Sequence, residues 1–269
     1  MSSAASRRTV APFGRRLGAV EANRAVGAYR VLEVADPGGP APRPGQFYML
    51  AAHERWGGGE AERPFLPRAF SFLRATDERL EFLLEDVGPG TRRLAELGPG
   101  DGLWLTGPLG IGFAAPEDGR AAVLVGGGIG IVPLGGWQDE IGGPALLGFR
   151  SAEHAAAAGL LAHAEVATDD GSVGHHGPVT DLLAEFLGAS PDAVVYACGP
   201  PAMLEAVRAL CAERGVPAQL AMESGMACGF GACFGCVVPT RHGYVRLCLD
   251  GPVLDAADLE TALVAGAGH

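Results

Sequence analysis

The chain has 269 residues, of which 48% are hydrophobic and 19% are charged, a balance typical of globular proteins with two or more compact domains. Its formal net charge of −11 argues against a nucleic-acid partner, because duplex binding requires a basic face. The most apolar stretch, 121–134, is interrupted by glycines and predicts a buried strand and turn, with no membrane span. Residues 1–8 are small, polar and basic with no apolar signal-peptide core after them, which predicts a short disordered tail and a cytoplasmic protein.

The first part of the chain, from Ala19 to about Phe113, has the pattern of short strands separated by turns. Clusters of proline and glycine at 37–45, 88–90 and 98–102 mark the turns, and a single helix is predicted over 91–97. Short strands at this spacing predict a small antiparallel β-barrel or sandwich. The predicted strands are 29–34, 46–50, 69–72, 80–84 and 103–105.

From Arg120 the pattern changes to alternating strands and helices, which predicts a doubly wound α/β domain. Strands are expected at 121–125, 145–149, 164–167 and 193–197, and helices at 180–187 and 201–214. In the last helix the apolar residues share one face, so that Cys211 is predicted to lie in the core. Gly215 stands where a helix C-cap is expected.

Four of the six cysteines lie in a glycine-rich tail that begins at Ala221. They are Cys228, Cys233, Cys236 and Cys248, and the first three follow the spacing C-x4-C-x2-C of plant-type 2Fe–2S proteins. Glycines between them allow the backbone to approach a cluster closely and to direct N–H groups at sulfur. The competing interpretation is a zinc knuckle, whose ligands usually come as two separated pairs.

Two segments of the predicted barrel could bind an anionic cofactor. Arg68–Ser71 lies on a predicted strand, and its arginine could pair with a pyrophosphate. Gly88–Thr91 follows as a turn at the start of the short predicted helix, where backbone N–H groups meet anions.

Three segments of the α/β half lie where parallel strands end, which is where nucleotides bind in such folds. Gly126, Gly127, Gly128 and Gly130 form a strand-to-helix turn, although their spacing departs from the usual dinucleotide fingerprint. Cys198-Gly199-Pro200 ends another strand, and Cys198 is equally consistent with a small buried residue. Asp169 or Asp170 could accept hydrogen bonds from a ribose and favour NAD over NADP, or could form an ordinary Asx turn.

Taken in order, these segments resemble the ferredoxin–NADP reductase superfamily, and within it the family of electron-transfer subunits of class 1B dihydroorotate dehydrogenases. The resemblance covers nearly the whole chain after the first ~20 residues, as a multidomain match does. The segments that carry it are Arg68-Ala69-Phe70-Ser71, Gly90-Thr91, Gly126-Gly127-Gly128-Ile129-Gly130, Thr168-Asp169-Asp170-Gly171-Ser172, Ala197-Cys198-Gly199-Pro200, and Glu223 through Cys236 to Cys248.

This resemblance implies three domains: an FAD-binding β-barrel over 10–115, an NAD-binding α/β domain over 116–220 and a 2Fe–2S-binding tail over 221–269. It implies that the four cysteines bind the cluster, and that the cofactors are contacted by Arg68, Ala69, Phe70, Ser71, Leu83, Leu84, Glu85, Gly90, Thr91, Gly126, Gly127, Gly128, Gly130, Asp169, Cys198, Gly199 and Pro200. Family members often have proline at the position of Ala69 and an aromatic-basic pair at Leu84-Glu85. A glycine-rich, charged insertion over 53–63 is a further departure.

The implied function is an oxidoreductase subunit that passes electrons from the FMN of a dihydroorotate dehydrogenase catalytic subunit through the 2Fe–2S cluster and FAD to NAD+, in pyrimidine biosynthesis. The implied assembly is a heterotetramer. Such chemistry needs no general acid or base from this chain, so no catalytic residue is assigned. Three alternatives remain open: a reductase subunit of another complex, of the ferredoxin-NADP reductase or hydrogenase type; a redox sensor; and a zinc-stabilised binding module.

Overall fold

A computed structural model describes residues 8–9, 14–58, 64–116 and 119–264. Residues 1–7 of the predicted tail and residues 59–63 of the predicted insertion lie outside the described residues. No helix among the described residues is long and apolar enough to cross a bilayer.

The first seven strands form one antiparallel sheet with the order β4-β3-β7-β1-β2-β6-β5. Strands β3 and β6 lie four positions apart in this order, about 19 Å in a flat sheet. Yet the rings of Tyr48 on β3 and Phe82 on β6 are only 5.7 Å apart, so the sheet is curled around a shared core as a barrel. The elements are β1 (Arg16–Val26), β2 (Tyr29–Ala35), β3 (Phe47–Ala52), β4 (Arg68–Ser71), β5 (Arg74–Ala75), β6 (Arg79–Glu85), α1 (Pro89–Ala95) and β7 (Gly102–Leu109).

Strand β6 is buried on both of its faces. Leu80, Phe82 and Leu84 point into the barrel core. Leu83 points the other way, into a second core that it shares with the α/β half of the chain. This is why the strand has a nearly continuous apolar run where a barrel strand facing water would alternate.

The second sheet has the order β11-β10-β9-β8-β12-β13-β16. Its strands from β11 to β13 are parallel. The chain turns in opposite directions on the two sides of β8, so the switch point lies between β8 and β12. The elements are β8 (Ala122–Gly127), α2 (Val132–Ile141), β9 (Ala145–Phe149), α3 (Ala152–Ala155), β10 (Ala164–Thr168), β11 (His175–His176), α4 (Val179–Ala189), β12 (Val194–Cys198), α5 (Pro201–Arg214) and β13 (Ala218–Ala221).

The tail returns to both preceding parts of the molecule. It contains β14 (Val237–Thr240), β15 (Gly243–Arg246), α6 (Leu247–Asp250) and β16 (Val253–Asp255). Strand β16 pairs antiparallel with β13 at the edge of the second sheet, and Pro252 forms a β-bridge with Ile111 after the barrel. The predicted domain boundaries at 115 and 220 stay predictions. Residues after 220 are part of the second sheet, because β16 pairs with β13.

Candidate functional site

The four cysteines of the tail form two pairs. Cys228 and Cys233 belong to the loop after β13, and the Cys233 thiol interacts with the Cys228 sulfur. Cys236 directly precedes β14 and Cys248 lies on α6, with the two buried sulfurs 3.3 Å apart. Two pairs of sulfurs suit two iron ions, each with two thiolate ligands.

Backbone N–H groups of the loop point at sulfur. Burial acts to raise the pKa of the Cys228 thiol, but hydrogen bonds from the backbones of Cys233, Phe230 and Ala232 lower that pKa to about 6. The loop therefore stabilises a thiolate, which is the form that binds iron. Gly235 adds an N–H 3.4 Å from the Cys233 sulfur.

The opposite pair is held in an apolar setting. Burial, together with the adjacent Cys236 thiol, raises the pKa of Cys248 to about 12. Across the part of the chain that the structure describes, no three side chains from His, Cys, Asp and Glu gather as ligands of one metal ion. Two thiol pairs are the donor set that a binuclear iron–sulfur cluster takes.

Glycines let the loop rest against the barrel. Gly229 has a φ of +78°, and a Cβ built on it would lie 2.6 Å from Cγ of Met49 on β3. Gly231 has a φ of +83°, and its Cβ would lie 2.3 Å from Leu249 on α6. Both positions combine a left-handed backbone with a close approach, so that a side chain would displace the loop. Phe47 and Met49 of the barrel, Cys236 and Cys248 share one apolar core.

The predicted flavin segments of the barrel come together. Arg68 on β4 crosses the start of α1, where a Cβ on Gly90 would lie 2.6 Å from the Arg68 Nε. The guanidinium donates to the carbonyl of Leu66 at 2.7 Å and lies 5.9 Å from the ring centre of Trp56. The hydroxyl of Thr91 accepts hydrogen bonds from the N–H groups of Val87 and Gly88 and so shapes the turn before the helix. Ala69, Phe70 and Ser71 lie on the same edge strand as Arg68.

Three other predicted flavin contacts have different surroundings. Leu83 and Leu84 are fully buried in two cores, so only their backbone can reach a ligand. Glu85 forms an ion pair with Arg150, which follows β9 in the α/β half. The carboxylate that replaces the family's usual basic residue therefore has a partner in this chain.

The predicted nucleotide segments also meet at one place. Gly126 pairs with Cys198 in the register between β8 and β12. A Cβ on Gly130 would lie 2.5 Å from the Cys198 carbonyl oxygen, and a Cβ on Gly127 would lie 2.9 Å from Pro200. These glycines allow the two strand ends to touch at the switch point, where the sheet leaves a crevice for a ligand. Burial, with a smaller contribution from Glu223, raises the pKa of the Cys198 thiol.

The turn after β10 separates the two candidate aspartates. The Asp170 carboxylate accepts hydrogen bonds from the hydroxyl and the N–H of Ser172, at 2.5 and 3.0 Å, and these bonds lower its pKa. Asp170 thus forms the Asx turn that is the alternative to ribose binding. Asp169 is exposed at the end of β10 and stays the predicted ribose ligand.

The residues after β9 were missed in the sequence. Arg150 and Ser151 directly follow a predicted strand, as Asp169 does, and the carboxyl ends of parallel strands are where ligands bind in such folds. His154, one turn further, lies beside Glu85 and Tyr29 of the barrel. Their position at the end of a predicted strand could have indicated them from the sequence, but no glycine motif draws attention to that position.

Comparison with known proteins identifies relatives for the tail and for the whole chain. Residues 223–260 match the family model of the iron-sulfur cluster binding domain of dihydroorotate dehydrogenase B. The electron transfer subunit of dihydroorotate dehydrogenase B (NAD+) from Caldanaerobacter subterraneus subsp. tengcongensis is 35% identical over 82% of this chain and 88% of its own length. The same subunit from Geobacillus thermodenitrificans is 39% identical over 80% of this chain and 86% of its own length.

Two solved oxidoreductase structures share most of this fold. The NADH-dependent reduced ferredoxin-NADP oxidoreductase, a structure concerned with flavin-based electron bifurcation, superposes with a TM-score of 0.76 at 25% identity over 93% of this chain and 92% of that chain. The ferredoxin reductase of carbazole 1,9a-dioxygenase superposes with a TM-score of 0.61 at 26% identity over 76% of this chain and 66% of that chain.

Proposed function

Because the chain belongs to the family of electron-transfer subunits of dihydroorotate dehydrogenase B, we propose that it carries electrons from the FMN of a dihydroorotate dehydrogenase catalytic subunit to NAD+, in pyrimidine biosynthesis. The observation that carries this proposal is the set of two cysteine pairs in the segment that matches the family's cluster-binding domain. The protein is accordingly an oxidoreductase subunit.

Each cofactor has a set of residues in this chain. When bound, a 2Fe–2S cluster exchanges single electrons, a nicotinamide exchanges hydride and a flavin can do both. Cys228 with Cys233 would hold one iron, and Cys236 with Cys248 the other. Arg68 would neutralise the FAD pyrophosphate beside Gly90-Thr91. The touching glycines at the ends of β8 and β12 would admit NAD to the crevice, and Asp169 would accept a hydrogen bond from its ribose.

Exposed aromatic side chains surround the cluster loop and support a protein partner there. Phe230, Phe234 and Tyr244 are 44%, 62% and 79% exposed. Aromatic residues are enriched where proteins dock, and single electrons transfer best when the partner lies close to the cluster. We therefore propose that the FMN-containing catalytic subunit contacts this surface, within a heterotetramer.

The deciding experiment mixes the protein, loaded with FAD and iron, with the catalytic subunit from the same organism. Dihydroorotate-dependent formation of NADH should require both proteins. It should be lost in Cys233→Ser and kept in Cys211→Ala, since Cys211 is a buried residue of helix α5 and is not one of the four cysteines of the tail. If the protein loaded with FAD and iron is reduced by NADH but gives no dihydroorotate-dependent NADH formation, the assignment to pyrimidine biosynthesis is refuted. The assignment as an electron-transfer protein would remain.

A second candidate function follows from the structural similarity to the NADH-dependent ferredoxin-NADP oxidoreductase, which includes 93% of this chain. In that case the partner would supply electrons from ferredoxin. Reduction of NAD+ by added reduced ferredoxin, without any response to dihydroorotate, would favour this function.

We also propose a cytoplasmic location. The four cluster cysteines must stay as thiols until iron binds, and the cytoplasm keeps thiols reduced. Fractionation of cells with an antibody against the chain tests this location.

A further inference from the structure

We propose that Arg150 binds the phosphates of the nicotinamide dinucleotide, and that Glu85 competes with them for its guanidinium. This inference rests on the proposed function, because it assumes that the nucleotide binds in the crevice at the switch point. Arg150 belongs to the α/β half and Glu85 to the barrel, so nucleotide binding would be linked to the contact between these two halves of the chain.

Arg150 lies at the carboxyl edge of the second sheet. It directly follows β9, whose Leu147 and Gly148 pair with Gly126 and Gly127 of β8. Beside it, the N–H of Ala152 donates to the Ser172 hydroxyl at 2.7 Å, which joins the start of α3 to the turn after β10. Arg150 therefore lies between the glycine turn and the candidate ribose turn.

Residues of the barrel also lie next to Arg150, in addition to the glycine turn and the turn after β10. Tyr29 on β2 is buried, and its hydroxyl lies 3.8 Å from where a Cβ of Gly128 would be. Its ring meets the ring of His154 edge-on, with centres 5.6 Å apart. Glu85, at the end of β6, pairs with the Arg150 guanidinium. Residues from the flavin barrel thus reach the edge where the nucleotide is expected.

The guanidinium has capacity for a further partner. The Arg150 Nε donates to the His154 Nε2 at 2.7 Å, and the other ring nitrogen of His154 is 3.0 Å from the Ser151 hydroxyl. Because the Arg150 Nε can only donate, Nε2 of His154 is the acceptor of this bond. Glu85 and His154 together use two of the five N–H donors of Arg150, and the side chain is 62% exposed.

Charge and chemistry favour a phosphate as that partner. The strand-end segments 126–130, 149–152, 168–172 and 198–200 contain one lysine or arginine between them, Arg150, in a chain of net charge −11. The other charged side chains of these segments are Asp169 and Asp170, so Arg150 is the one cation there to balance the charge of a nucleotide pyrophosphate. An exposed ion pair contributes little, whereas a guanidinium binds phosphate bidentately. The pyrophosphate can therefore displace Glu85.

Two substitutions that preserve shape test the inference, because they have opposite expected effects. In the FAD-loaded protein, titrated calorimetrically with NAD+, Arg150→Gln should raise Kd about tenfold, the scale of one lost charge-assisted hydrogen bond. Glu85→Gln should lower Kd, since Arg150 no longer has a competing carboxylate. Arg150→Lys should recover part of the affinity, and the double variant should match Arg150→Gln.

The alternative is that the pair only holds the two halves together. Both single variants would then weaken NAD+ binding equally, and that result would overturn the inference. Unchanged affinity in Arg150→Gln would overturn it as well, while leaving the proposed function intact. A wild-type protein that retains FAD but binds no NAD+ would instead refute the proposed function, and the inference with it. Flavin content and circular dichroism of each variant control for folding.

Discussion

The contact between Gly90 and Arg68 allows the arginine to be displaced without being removed. A Cβ at position 90 would lie 2.6 Å from the Arg68 Nε, 3.0 Å from Cζ and 3.1 Å from Nη2. In Gly90→Ala the guanidinium must therefore swing away from the start of α1. Because the obstructing atoms belong to a flexible side chain, we expect the fold to tolerate the change. Replacing glycine by alanine inside a helix favours folding by about 0.5–1 kcal/mol.

Cofactor affinity should respond in the opposite direction. A charge-assisted hydrogen bond to phosphate contributes about 1.5–3 kcal/mol, so losing the Arg68 interaction should raise the Kd for FAD by roughly ten- to a hundredfold. Arg68→Ala sets the upper limit of the effect. Gly98→Ala is the control, because Gly98 lies after α1, outside the turn Gly88–Thr91, and a Cβ there meets nothing within 4 Å.

The assay follows the rise in flavin fluorescence as FAD dissociates, alongside urea denaturation of each apoprotein. Gly90→Ala should release FAD readily while unfolding at the same urea concentration as the wild type, or a higher one. If Gly90→Ala retains FAD as tightly as the wild type while Arg68→Ala does not, the contact does not position the guanidinium. If Arg68→Ala also retains FAD, the proposed role of Arg68 is wrong.

Three further predictions concern stability and docking. Gly130→Ala should destabilise the fold by about 1–3 kcal/mol, since its Cβ would lie 2.5 Å from backbone atoms of Cys198 and Gly199. Gly188 lies in α4, and a Cβ on it would meet nothing within 4 Å, so Gly188→Ala should stabilise the fold by about 0.5–1 kcal/mol. Equal urea midpoints for Gly130→Ala and Gly188→Ala would contradict both expectations. The Arg208 guanidinium, with bonds from Ala262 and Thr261, lowers the pKa of Glu205 to about 2 from 4.5. The ionised Glu205 carboxylate therefore stabilises the folded state above pH 4.5, and this stabilisation is lost as the pH falls toward 2. Glu205→Gln should lower the free energy of unfolding by about 1–2 kcal/mol at pH 7, after allowance for solvent screening, and by little at pH 2. A difference from the wild type in urea denaturation that stays the same at both pH values would refute this prediction. Phe234→Ala should weaken binding of the catalytic subunit by about tenfold in a calorimetric titration, whereas Val173→Ala, also exposed but remote in sequence from the cluster loop, should not; equal effects would exclude the aromatic surface as the interface.

Local patterns predicted most elements well, because their apolar residues repeat with the period of the structure. Helix α5 was expected over 201–214 and is found at Pro201–Arg214, and Gly215 closes it with a φ of +67°. Strand β1 was missed although it is 11 residues long. Only Gly18 and Val20 of its residues are buried, and it has no aromatic residue and two β-branched ones, so it carries little of the composition that marks a strand.

The candidate site was predictable where the chemistry is local and was missed where it depends on the fold. The cysteine spacing lies within one segment, and its glycines and thiols indicate iron directly. The pair formed by Glu85 and Arg150 joins residues that are 65 positions apart, and only the packing of the barrel on the α/β half brings them together. Leu83 and Leu84 stay predicted cofactor contacts; because their side chains are buried in two cores, only their backbone could reach a ligand.

The pairing of β13 with β16 makes the cluster segment, topologically, the loop of a long hairpin. Ala221 and Val253 are register partners, and the N–H of Met222 bonds to the carbonyl of Pro252 at 2.9 Å, so residues 222–252 leave the sheet and return to the same point. Because the two ends of the segment are held together by the sheet, the entropy cost of closing the loop changes little when the loop is shortened or exchanged. The backbone of the cluster segment therefore enters and leaves through one pair of strands, with no passage through the flavin barrel. Its side chains belong to the core that includes Phe47 and Met49, so a segment exchanged for it would have to fill the same space.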